Sequence, residues 1–362
     1  MKAKILSFLF VATIFSLMLL SIIFKDKEVS ISERRKLSAF PDIAINSVIS
    51  GEFFENLNNY LTDQFPFRDI FRNIKGVISN SIFQKKDEDG IFIKDKSIYQ
   101  LNTSINEKSV DNFINLLNKI QKSYIKSQNV YYAVIPDKNY YLDSNIPKMD
   151  YEMLQLLLSN KLENMKYINL FDTLTIDSYY KTDIHWRQEK LEKAKEKIEA
   201  SVNLPTSKLP EQKKEFFKFY GNLYGRIANN LKAENLVYLT NGEIEDAIVF
   251  DYEKQQYRKV YETKDLNNID SYDIYLGGAK PLLIIENKSS KNKKELILFR
   301  DSFGSSIAPL LISNYSKITL IDLRYLNSSL LNKIEAISFS NLNQDVLFLY
   351  SVPIINNSFT LK

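Results

Sequence analysis

The sequence predicts an α/β protein in which a parallel β-sheet is flanked by helices. The main observation lies in the C-terminal part of the chain, where short apolar runs alternate with helical stretches. These segments are, in order, 296–299, 303–313, 318–321, 328–337 and 346–350. A second observation is an amphipathic helical pattern at 108–127, which is followed by the apolar run 130–135. Strands that alternate with helices over short connections form right-handed βαβ units, and their parallel strands are buried.

Length and composition indicate a folded chain with a weak net charge. The protein has 362 residues, of which 44% are hydrophobic, and it has only nine glycines and nine prolines. This composition excludes collagen-like and linker-like sequences. The formal net charge is +4. Because nucleic-acid-binding domains carry a clustered basic face, we expect no nucleic-acid partner.

The rarest residue types exclude several kinds of site. The chain contains no cysteine, which excludes disulfides, zinc ribbons, iron–sulfur clusters, cysteine nucleophiles and lipoprotein anchors. The single histidine, His185, excludes metal sites built on several histidines. A Ca²⁺ or Mg²⁺ site made only of carboxylates stays open, although no loop of the DxDxDG type supports it. We therefore expect no cofactor and no metal.

The N-terminal run 5–24 contains no charged residue in 20 positions, and a helix of that length spans roughly 30 Å of hydrocarbon. Lys2 and Lys4 precede the run and favour a cytoplasmic N-terminus, with the rest of the chain exported. The run is longer than the core of a cleaved signal peptide and no small-x-small site follows it, so we predict an uncleaved signal-anchor at 1–25. The alternative is a buried core helix. The predicted location is a cell membrane crossed once, with the main domain extracytoplasmic.

Two further segments follow the anchor. Residues 26–80 are predicted to form a membrane-proximal helical segment that breaks at Pro66, and 81–362 to form the main domain. Within the main domain we predict a strand, a helix and an inserted mixed β region of antiparallel strands beside the main sheet. These three lie at 167–171, 188–202 and 205–290. Few glycines, abundant lysine, asparagine and isoleucine, and a cysteine-free exported chain favour a Gram-positive bacterium.

A candidate nucleophile follows the predicted strand 296–299. Ligands of open parallel α/β sheets bind at the carboxyl ends of the strands, and there the chain contains Asp301, Ser302 and Gly304. A serine on a strand-to-helix turn has an exposed hydroxyl, and the backbone N–H groups of the next helix are free to stabilise an oxyanion. Ser302 is therefore a candidate nucleophile. The alternative is that Asp301 or Ser302 only caps the helix.

A serine nucleophile needs a base, which is usually a histidine oriented by a carboxylate. His185 follows Asp183 by two residues. In an extended segment, side chains two residues apart point the same way, so Asp183 is placed to bind one imidazole nitrogen while the other faces Ser302. The alternative is a lone surface or packed histidine without a chemical role, next to Trp186.

The segment 181–186 resembles the motif that names the DHHW protein family, which is similar to the alginate O-acetyltransferases AlgJ and AlgX and has an SGNH hydrolase-like fold. In the motif of this chain, Ile184 replaces the first histidine of the family name. Several other segments resemble blocks of the family in the same order, so that the likeness covers nearly the whole exported chain. They are 33–37, 40–41, 63–68, 134–138, 219–221, 275–278, 301–304 and 322–324.

The resemblance implies a triad of Ser302, His185 and Asp183 that transfers acetyl groups onto an exported polysaccharide, which makes the protein an O-acetyltransferase or acetylesterase. It also implies oxyanion or substrate contacts from Gly304 and Gly278. Ala279 stands where a polar residue, often asparagine, is expected.

Arg324 is predicted at the same sheet edge as Ser302, where it either binds substrate or forms a structural salt bridge. Because one membrane span is too few to carry acetyl groups across a membrane, a separate multi-span membrane O-acyltransferase is the implied acetyl donor. The alternative function is a non-catalytic scaffold or glycan-binding component of an envelope polysaccharide assembly complex. The enzyme hypothesis requires the Ser302 hydroxyl within about 2.6–3.2 Å of a ring nitrogen of His185.

Overall fold

The computed structural model describes residues 2–30, 33–78, 90–126, 128–144, 146–227, 231–267, 269–290 and 292–362. The chain divides into two compact units. The smaller comprises Met1–Asp87 with Asn222–Lys232, and the larger comprises Glu88–Gly221 with Ala233–Lys362. The predicted boundary between residues 80 and 81, and the end of the predicted helix at Ser127, lie outside the described residues.

The described residues form 14 strands and 11 α-helices, which are numbered in chain order. The strands are β1 (Val29–Ser30), β2 (Arg35–Lys36), β3 (Ile91–Lys94), β4 (Ser97–Gln100), β5 (Asn129–Ile135), β6 (Lys166–Asn169), β7 (Gln212–Phe219), β8 (Glu234–Thr240), β9 (Ile248–Asp251), β10 (Gln256–Lys259), β11 (Leu282–Glu286), β12 (Glu295–Arg300), β13 (Lys317–Ile321) and β14 (Gln344–Ser351). The helices are α1 (Lys2–Ile23), α2 (Ile45–Ser50), α3 (Glu52–Asp63), α4 (Arg68–Val77), α5 (Glu107–Tyr124), α6 (Tyr151–Lys161), α7 (Glu192–Ser201), α8 (Tyr224–Ile227), α9 (Gly242–Asp246), α10 (Gly304–Ile307) and α11 (Val352–Ile355).

The larger unit is organised around an eight-stranded sheet with the order β10-β9-β11-β13-β12-β14-β5-β6. The five strands from β13 to β6 pair in parallel. The pairs β13–β11, β11–β9 and β9–β10 are antiparallel. The predicted α/β class with a largely parallel sheet is therefore confirmed, and the antiparallel strands extend one side of that sheet.

The strand β12 separates two hydrophobic cores. Leu296 and Leu298 belong to one core, which also contains residues of α7. Ile297 and Phe299 belong to the other, which contains residues of α5. Successive side chains of a strand point to opposite faces, so a strand between two helical layers is apolar at every position. This arrangement explains the continuous apolar runs that predicted the central strands.

Several predicted elements differ in the structure. The predicted helix 303–313 is the short α10 followed by a 3₁₀ helix at Ala308–Asn314, because Pro309 has no N–H to continue an α-helical ladder. The predicted helix 328–337 contains only a 3₁₀ turn at Ser328–Leu330. Its buried residues Leu331 and Ile337 join a hydrophobic core from an irregular segment, so tertiary packing overrides local propensity there.

The remaining differences concern the middle of the chain. The inserted β region was predicted beside the main sheet, but only β7 and β8 form a separate pair, whereas β9 to β11 belong to the main sheet. The predicted helix 188–202 consists of a 3₁₀ turn at Gln188–Lys190 and α7. The strand predicted at 167–171 is β6. Helix α6 and the hairpin β3–β4 were not predicted from the sequence.

The smaller unit begins with α1, where residues Lys4–Ile23 are long and apolar enough to cross a membrane and none of that span is buried in protein. After α1 comes a group of helices held by ion pairs. The Asp63 carboxylate accepts hydrogen bonds from Arg35 at 2.5 and 2.8 Å and from the Ser38 amide at 2.9 Å. Glu33 pairs with Arg68 at 2.5 Å and with Arg72 at 3.1 Å. The family-like segments 33–37 and 63–68 meet in this network.

We predict that Asp63→Asn loosens the helical part of the smaller unit. The hydrogen bonds from Arg35 hold the pKa of Asp63 well below its usual value of 3.8. A hydrogen bond to a charged group contributes about 1.5–3 kcal/mol, so amide hydrogen exchange in 52–77 should accelerate roughly tenfold or more. Because the pKa is lower in the folded than in the unfolded chain, this stabilisation is complete above about pH 4 and is lost as the pH falls further.

The matched control is Asp111→Asn, which removes an exposed pair with Lys161 at 2.7 Å. Exposed pairs contribute about 0–1 kcal/mol, so exchange should stay nearly unchanged there. Equal exchange rates in the Asp63 variant and the unmodified protein would show that the ion pairs do not hold these helices.

Candidate active site

Ser302 lies on the turn between β12 and α10, at the carboxyl end of a central parallel strand. Asp301 is fully buried and accepts hydrogen bonds from the amides of Phe303 at 3.0 Å and Ser351 at 2.8 Å. These bonds fix the turn to the end of β14. Asp301 therefore binds backbone groups of the turn, but the N-cap of α10 is Phe303, so neither Asp301 nor Ser302 caps the helix as the alternative expected. The Ser302 side chain is partly exposed and instead faces the histidine.

The structure brings together the three residues of the predicted triad. The Nε2 atom of His185 lies 2.8 Å from the Ser302 Oγ. The Nδ1 atom of the same ring lies 2.6 Å from the Asp183 Oδ1. Asp183 is fully buried and His185 is 5% exposed. The hydroxyl thus meets the distance that the enzyme hypothesis requires, although 117 residues separate Ser302 from His185.

The backbone around Asp183 differs from the predicted extended segment. Residues 181–185 form a series of bends, closed by an antiparallel bridge between Tyr179 and Trp186. The Asp183 carboxylate accepts a hydrogen bond from the His185 amide at 2.9 Å, which is the geometry of an Asx turn. The predicted pairing of Asp183 with His185 is present, but a turn and not a strand produces it.

Two contacts fix the imidazole ring of His185. One is an aromatic ring stacked on its face, and the other is a hydrogen bond made by the next residue, Trp186. Tyr272 stacks on the ring with centroids 4.1 Å apart and an angle of 15° between the planes. The Tyr272 hydroxyl donates to Ser306 Oγ at 2.9 Å, and the Trp186 indole donates to the same oxygen at 2.7 Å. Burial raises the pKa of Tyr272 well above its usual value, so its hydroxyl keeps its proton. Ser306 therefore joins the histidine segment to the helix that follows Ser302.

Glu234 organises the loop that carries Asp183. Its carboxylate accepts hydrogen bonds from the amides of Lys181 at 2.9 Å and Thr182 at 2.8 Å. It also pairs with the Arg187 guanidinium at 2.6 Å. The single carboxylate thereby ties both sides of the loop, before and after the Asp183–His185 pair.

Lys138 supports the same loop from the carboxyl end of β5. Its ammonium group is buried and donates to backbone carbonyls 2.6–3.2 Å away. These belong to Ile98, Tyr180, Lys181 and Asp183. Burial lowers the pKa of Lys138 to about 7, while the carboxylates of Asp183 and Glu234 act in the opposite direction. The family-like segment 134–138 therefore has a structural purpose, because its lysine fixes the backbone around Asp183.

The amide of Ser302 is available to stabilise an oxyanion. Within the part of the chain that the structure describes, this N–H group makes no hydrogen bond. The next amides behave differently, since Phe303 donates to the Asp301 carboxylate and Gly304 donates to the Asp301 carbonyl at 3.1 Å. A free amide on the nucleophile itself is the arrangement that stabilises a tetrahedral intermediate.

The three residues predicted to contact an oxyanion or substrate all have structural roles. A Cβ on Gly304 would lie 2.5 Å from the Arg300 Cβ, so the glycine lets α10 approach β12. Gly278 has a φ of +81°, and a Cβ there would lie 2.1 Å from the Asp273 carboxylate. Arg324 follows β13 and donates to both Asp322 carboxylate oxygens, at 2.9 and 2.6 Å. Arg324 thus forms the salt bridge that was one of its two predicted alternatives, and substrate contacts of all three residues stay predictions.

Sequence reasoning did not assign roles to Lys138, Glu234, Tyr272 or Gly221. Two of them lie in segments that resembled the family, 134–138 and 219–221, and that resemblance was the available signal. Nothing in the local sequence singles out Glu234 and Tyr272, because their importance comes from what they contact.

As for metals, the described residues contain no group of three His, Cys, Asp or Glu side chains able to hold a metal ion.

We predict that Gly221→Ala displaces Asp183 from His185. A Cβ at this position would lie 2.3 Å from the Thr182 carbonyl oxygen and 2.4 Å from the Asp183 amide nitrogen, and such contacts force the backbone to move. Since His185 is the only histidine, its Nδ1 proton has a single resonance in a spectrum of protein labelled with ¹⁵N-histidine. The short hydrogen bond to Asp183 should shift that resonance strongly downfield in the unmodified protein, and the variant should lose the shift.

Gly242→Ala is the matched control, because a Cβ at Gly242 meets no atom within 4 Å. The control should keep the downfield resonance. An unchanged resonance in both variants would mean that the close approach at Gly221 does not position Asp183.

No protein-family model and no curated protein matches the sequence. Similar solved structures include a DHHW family protein from Eubacterium siraeum, with 20% identity and a TM-score of 0.62 over 75% of this chain and 92% of that chain. Bacillus cereus PatB1 with a sulfonyl adduct is 20% identical, with a TM-score of 0.58 over 73% of this chain and 95% of that chain. The O-acetyltransferase domain of Pseudomonas putida AlgJ is 12% identical, with a TM-score of 0.45 over 74% of this chain and 92% of that chain.

At this level of identity, a similar structure is informative about the fold and not about the activity. The DHHW family protein covers most of the chain and has the fold that the sequence motifs implied. Both the order of the sequence motifs and the similarity of the structures support the suspected relationship to the DHHW family. The chain has the fold of a DHHW family protein.

Proposed function

We propose that the protein is a membrane-anchored, extracytoplasmic, serine-dependent O-acetyltransferase or acetylesterase that acts on a cell-surface or exported polysaccharide. The observation that carries this proposal is the chain of two short hydrogen bonds, 2.8 Å from Ser302 to His185 and 2.6 Å from His185 to Asp183. A serine, a histidine and a buried carboxylate in this order form the device that activates a hydroxyl for acyl transfer.

The first half-reaction forms an acyl-enzyme. His185 Nε2 accepts the Ser302 hydroxyl proton while the Oγ attacks the carbonyl carbon of an acetyl ester. The Ser302 amide donates to the oxyanion of the tetrahedral intermediate. The C–O bond to the donor alcohol then breaks, and the imidazolium returns the proton to the departing oxygen. Asp183, which accepts from Nδ1, stabilises the positive charge that the ring carries between these two proton transfers.

The second half-reaction determines whether the enzyme is a transferase or an esterase. An acceptor hydroxyl loses its proton to His185 Nε2, and its oxygen attacks the acetyl carbon on Ser302. Collapse of the intermediate breaks the bond to Ser302 Oγ, which regains a proton from the imidazolium. A sugar hydroxyl as acceptor gives an O-acetylated polysaccharide, and water as acceptor gives acetate. The chemistry of the triad is the same in both cases.

The apolar helix α1 supports anchoring of this active site outside the cytoplasm. A single span cannot itself carry acetyl groups across a bilayer. We therefore propose a multi-span membrane O-acyltransferase as the acetyl donor, with the polysaccharide as acceptor. A Gram-positive envelope remains our prediction for the source of such a chain.

We predict that the full chain in detergent micelles releases acetate from a small chromogenic acetate ester. Ser302→Ala and His185→Ala should lower kcat by roughly 10⁴-fold or more, because members of a triad act as one unit. Asp183→Asn should cause a loss of about 10⁴-fold, since the amide favours the wrong imidazole tautomer. Ser305→Ala, which changes a serine of the adjacent helix α10, is the matched control and should retain activity.

A second measurement tests the nucleophile without a substrate. PatB1 has been solved with a sulfonyl adduct, and sulfonyl fluorides react with activated serines. We expect such a reagent to modify the peptide that contains Ser302, and to leave the His185→Ala protein unmodified. If the unmodified protein neither hydrolyses the ester nor reacts with the reagent, while it remains folded, the scaffold or glycan-binding alternative takes the place of this proposal.

A further inference from the structure

Helix α4 has its charged and apolar sides reversed relative to a helix of a water-soluble domain. Its outward side chains Ile70, Phe71, Ile74 and Ile78 are 55%, 49%, 50% and 40% exposed. At 100° per residue these four positions fall within a sector of about 100°, which is the width of a core-facing stripe. We refer to them as the α4 apolar face. A soluble domain turns such a stripe into its core.

The two arginines of α4 face the protein instead. Arg68 and Arg72 have side chains only 16% and 23% exposed, and both pair with Glu33. Among the described side chains of residues 2–78, no leucine, isoleucine, phenylalanine, tyrosine, methionine or valine is buried. In residues 2–78 the most enclosed side chains are therefore paired polar groups, whereas the buried apolar side chains of the smaller unit, Leu223 and Tyr224, lie in its second segment. Contiguous exposed apolar surface of this kind marks an interaction site.

The position of α4 along the chain indicates what covers the α4 apolar face. Phe24, one residue after α1, packs edge-to-face on Phe67, one residue before α4, with ring centroids 5.8 Å apart. The Lys27 amide donates to the Gln64 side chain at 3.0 Å, and that side chain donates back to the Lys27 carbonyl at 3.0 Å. Thus, the start of α4 is fixed directly against the end of the apolar helix. If α1 spans a bilayer, α4 begins at the bilayer surface.

We infer that α4 lies in the plane of the extracytoplasmic membrane surface, with the α4 apolar face inserted at the boundary between lipid headgroups and acyl chains. This inference rests on the membrane anchoring in the proposed function. A helix with one apolar and one charged side binds this boundary about 5–10 Å deep. Lipid is the occupant favoured here, since the contact between Phe24 and Phe67 leaves α4 next to the lipid that surrounds α1.

This arrangement gives the ion pairs of the smaller unit a function. Arg68 and Arg72 are held by Glu33 on the side of α4 opposite the lipid, so the helix has a fixed rotation about its own axis. The spanning helix alone would leave the exported chain on a single flexible attachment. Two attachments, α1 through the bilayer and α4 along it, restrict the height and tilt of the smaller unit above the membrane.

The absence of cysteine allows a direct test with single labels on the full chain. Ile74→Cys is labelled with an environment-sensitive fluorophore, and the protein is reconstituted into vesicles of phosphatidylcholine and phosphatidylglycerol. The matched control is Asp69→Cys, an exposed position on the other side of the same helix. Phe15→Cys within α1 reports insertion of the span. Thermal unfolding of each labelled protein, compared with the unmodified chain, confirms that it is folded.

We predict that the label at position 74 emits at shorter wavelength than the label at position 69. Nitroxides attached to the lipid near the headgroups should quench it at least about twofold more strongly, because the label at position 69 faces water and the protein. Iodide in the aqueous phase should show the reverse order.

Three outcomes would overturn the inference. Iodide quenching at position 74 equal to that at position 69 would mean that the α4 apolar face lies in water. Protection of position 74 from both iodide and lipid nitroxides would mean that protein covers it. Lack of quenching at position 15 by nitroxides placed deep in the acyl chains would show that α1 does not span the bilayer, and the anchoring would then fail together with the inference. Acetate release is measured separately, so failure of the enzyme activity is distinguishable from each of these results.

Discussion

The site depends on one contact between distant parts of the chain, the 2.8 Å hydrogen bond between His185 and Ser302. Ser302 is placed by the end of a central strand, which is rigid because both of its faces are buried. His185 lies on an irregular loop, which has no ladder of hydrogen bonds to fix it. The buried polar groups around that loop compensate for this. Glu234 binds its backbone amides, and Lys138 binds its backbone carbonyls.

Such a concentration of buried charge lowers stability unless every group is paired. Lys138 shows how the cost is offset, since its buried ammonium group donates to four backbone carbonyls. Tyr272 and Trp186 add a second constraint by meeting at Ser306. The histidine ring is therefore fixed relative to the helix after Ser302, and not only relative to its own loop. Preorganisation of this kind is what acyl transfer requires of a base.

The two units are stabilised by different kinds of contact. The larger unit buries apolar residues on both faces of an eight-stranded sheet. In residues 2–78 of the smaller unit, Asp63 is buried within a network of ion pairs, and many large apolar side chains are exposed. The first arrangement is that of a protein surrounded by water. The second suits a helix whose apolar side chains meet lipid, as we infer for α4.

The sequence alone determined the α/β class and the central strands, because apolar runs depend on local chemistry. Motifs such as 181–186 identified the three residues of the proposed triad through resemblance. It did not determine how Asp183 meets His185, since an Asx turn and an extended segment place the same two residues together. The helix predicted at 328–337 failed because packing of Leu331 and Ile337 outweighed local propensity. The contacts of Glu234 and Tyr272, and the reversal of α4, were decided only by the tertiary structure, because they join residues that are far apart in the chain.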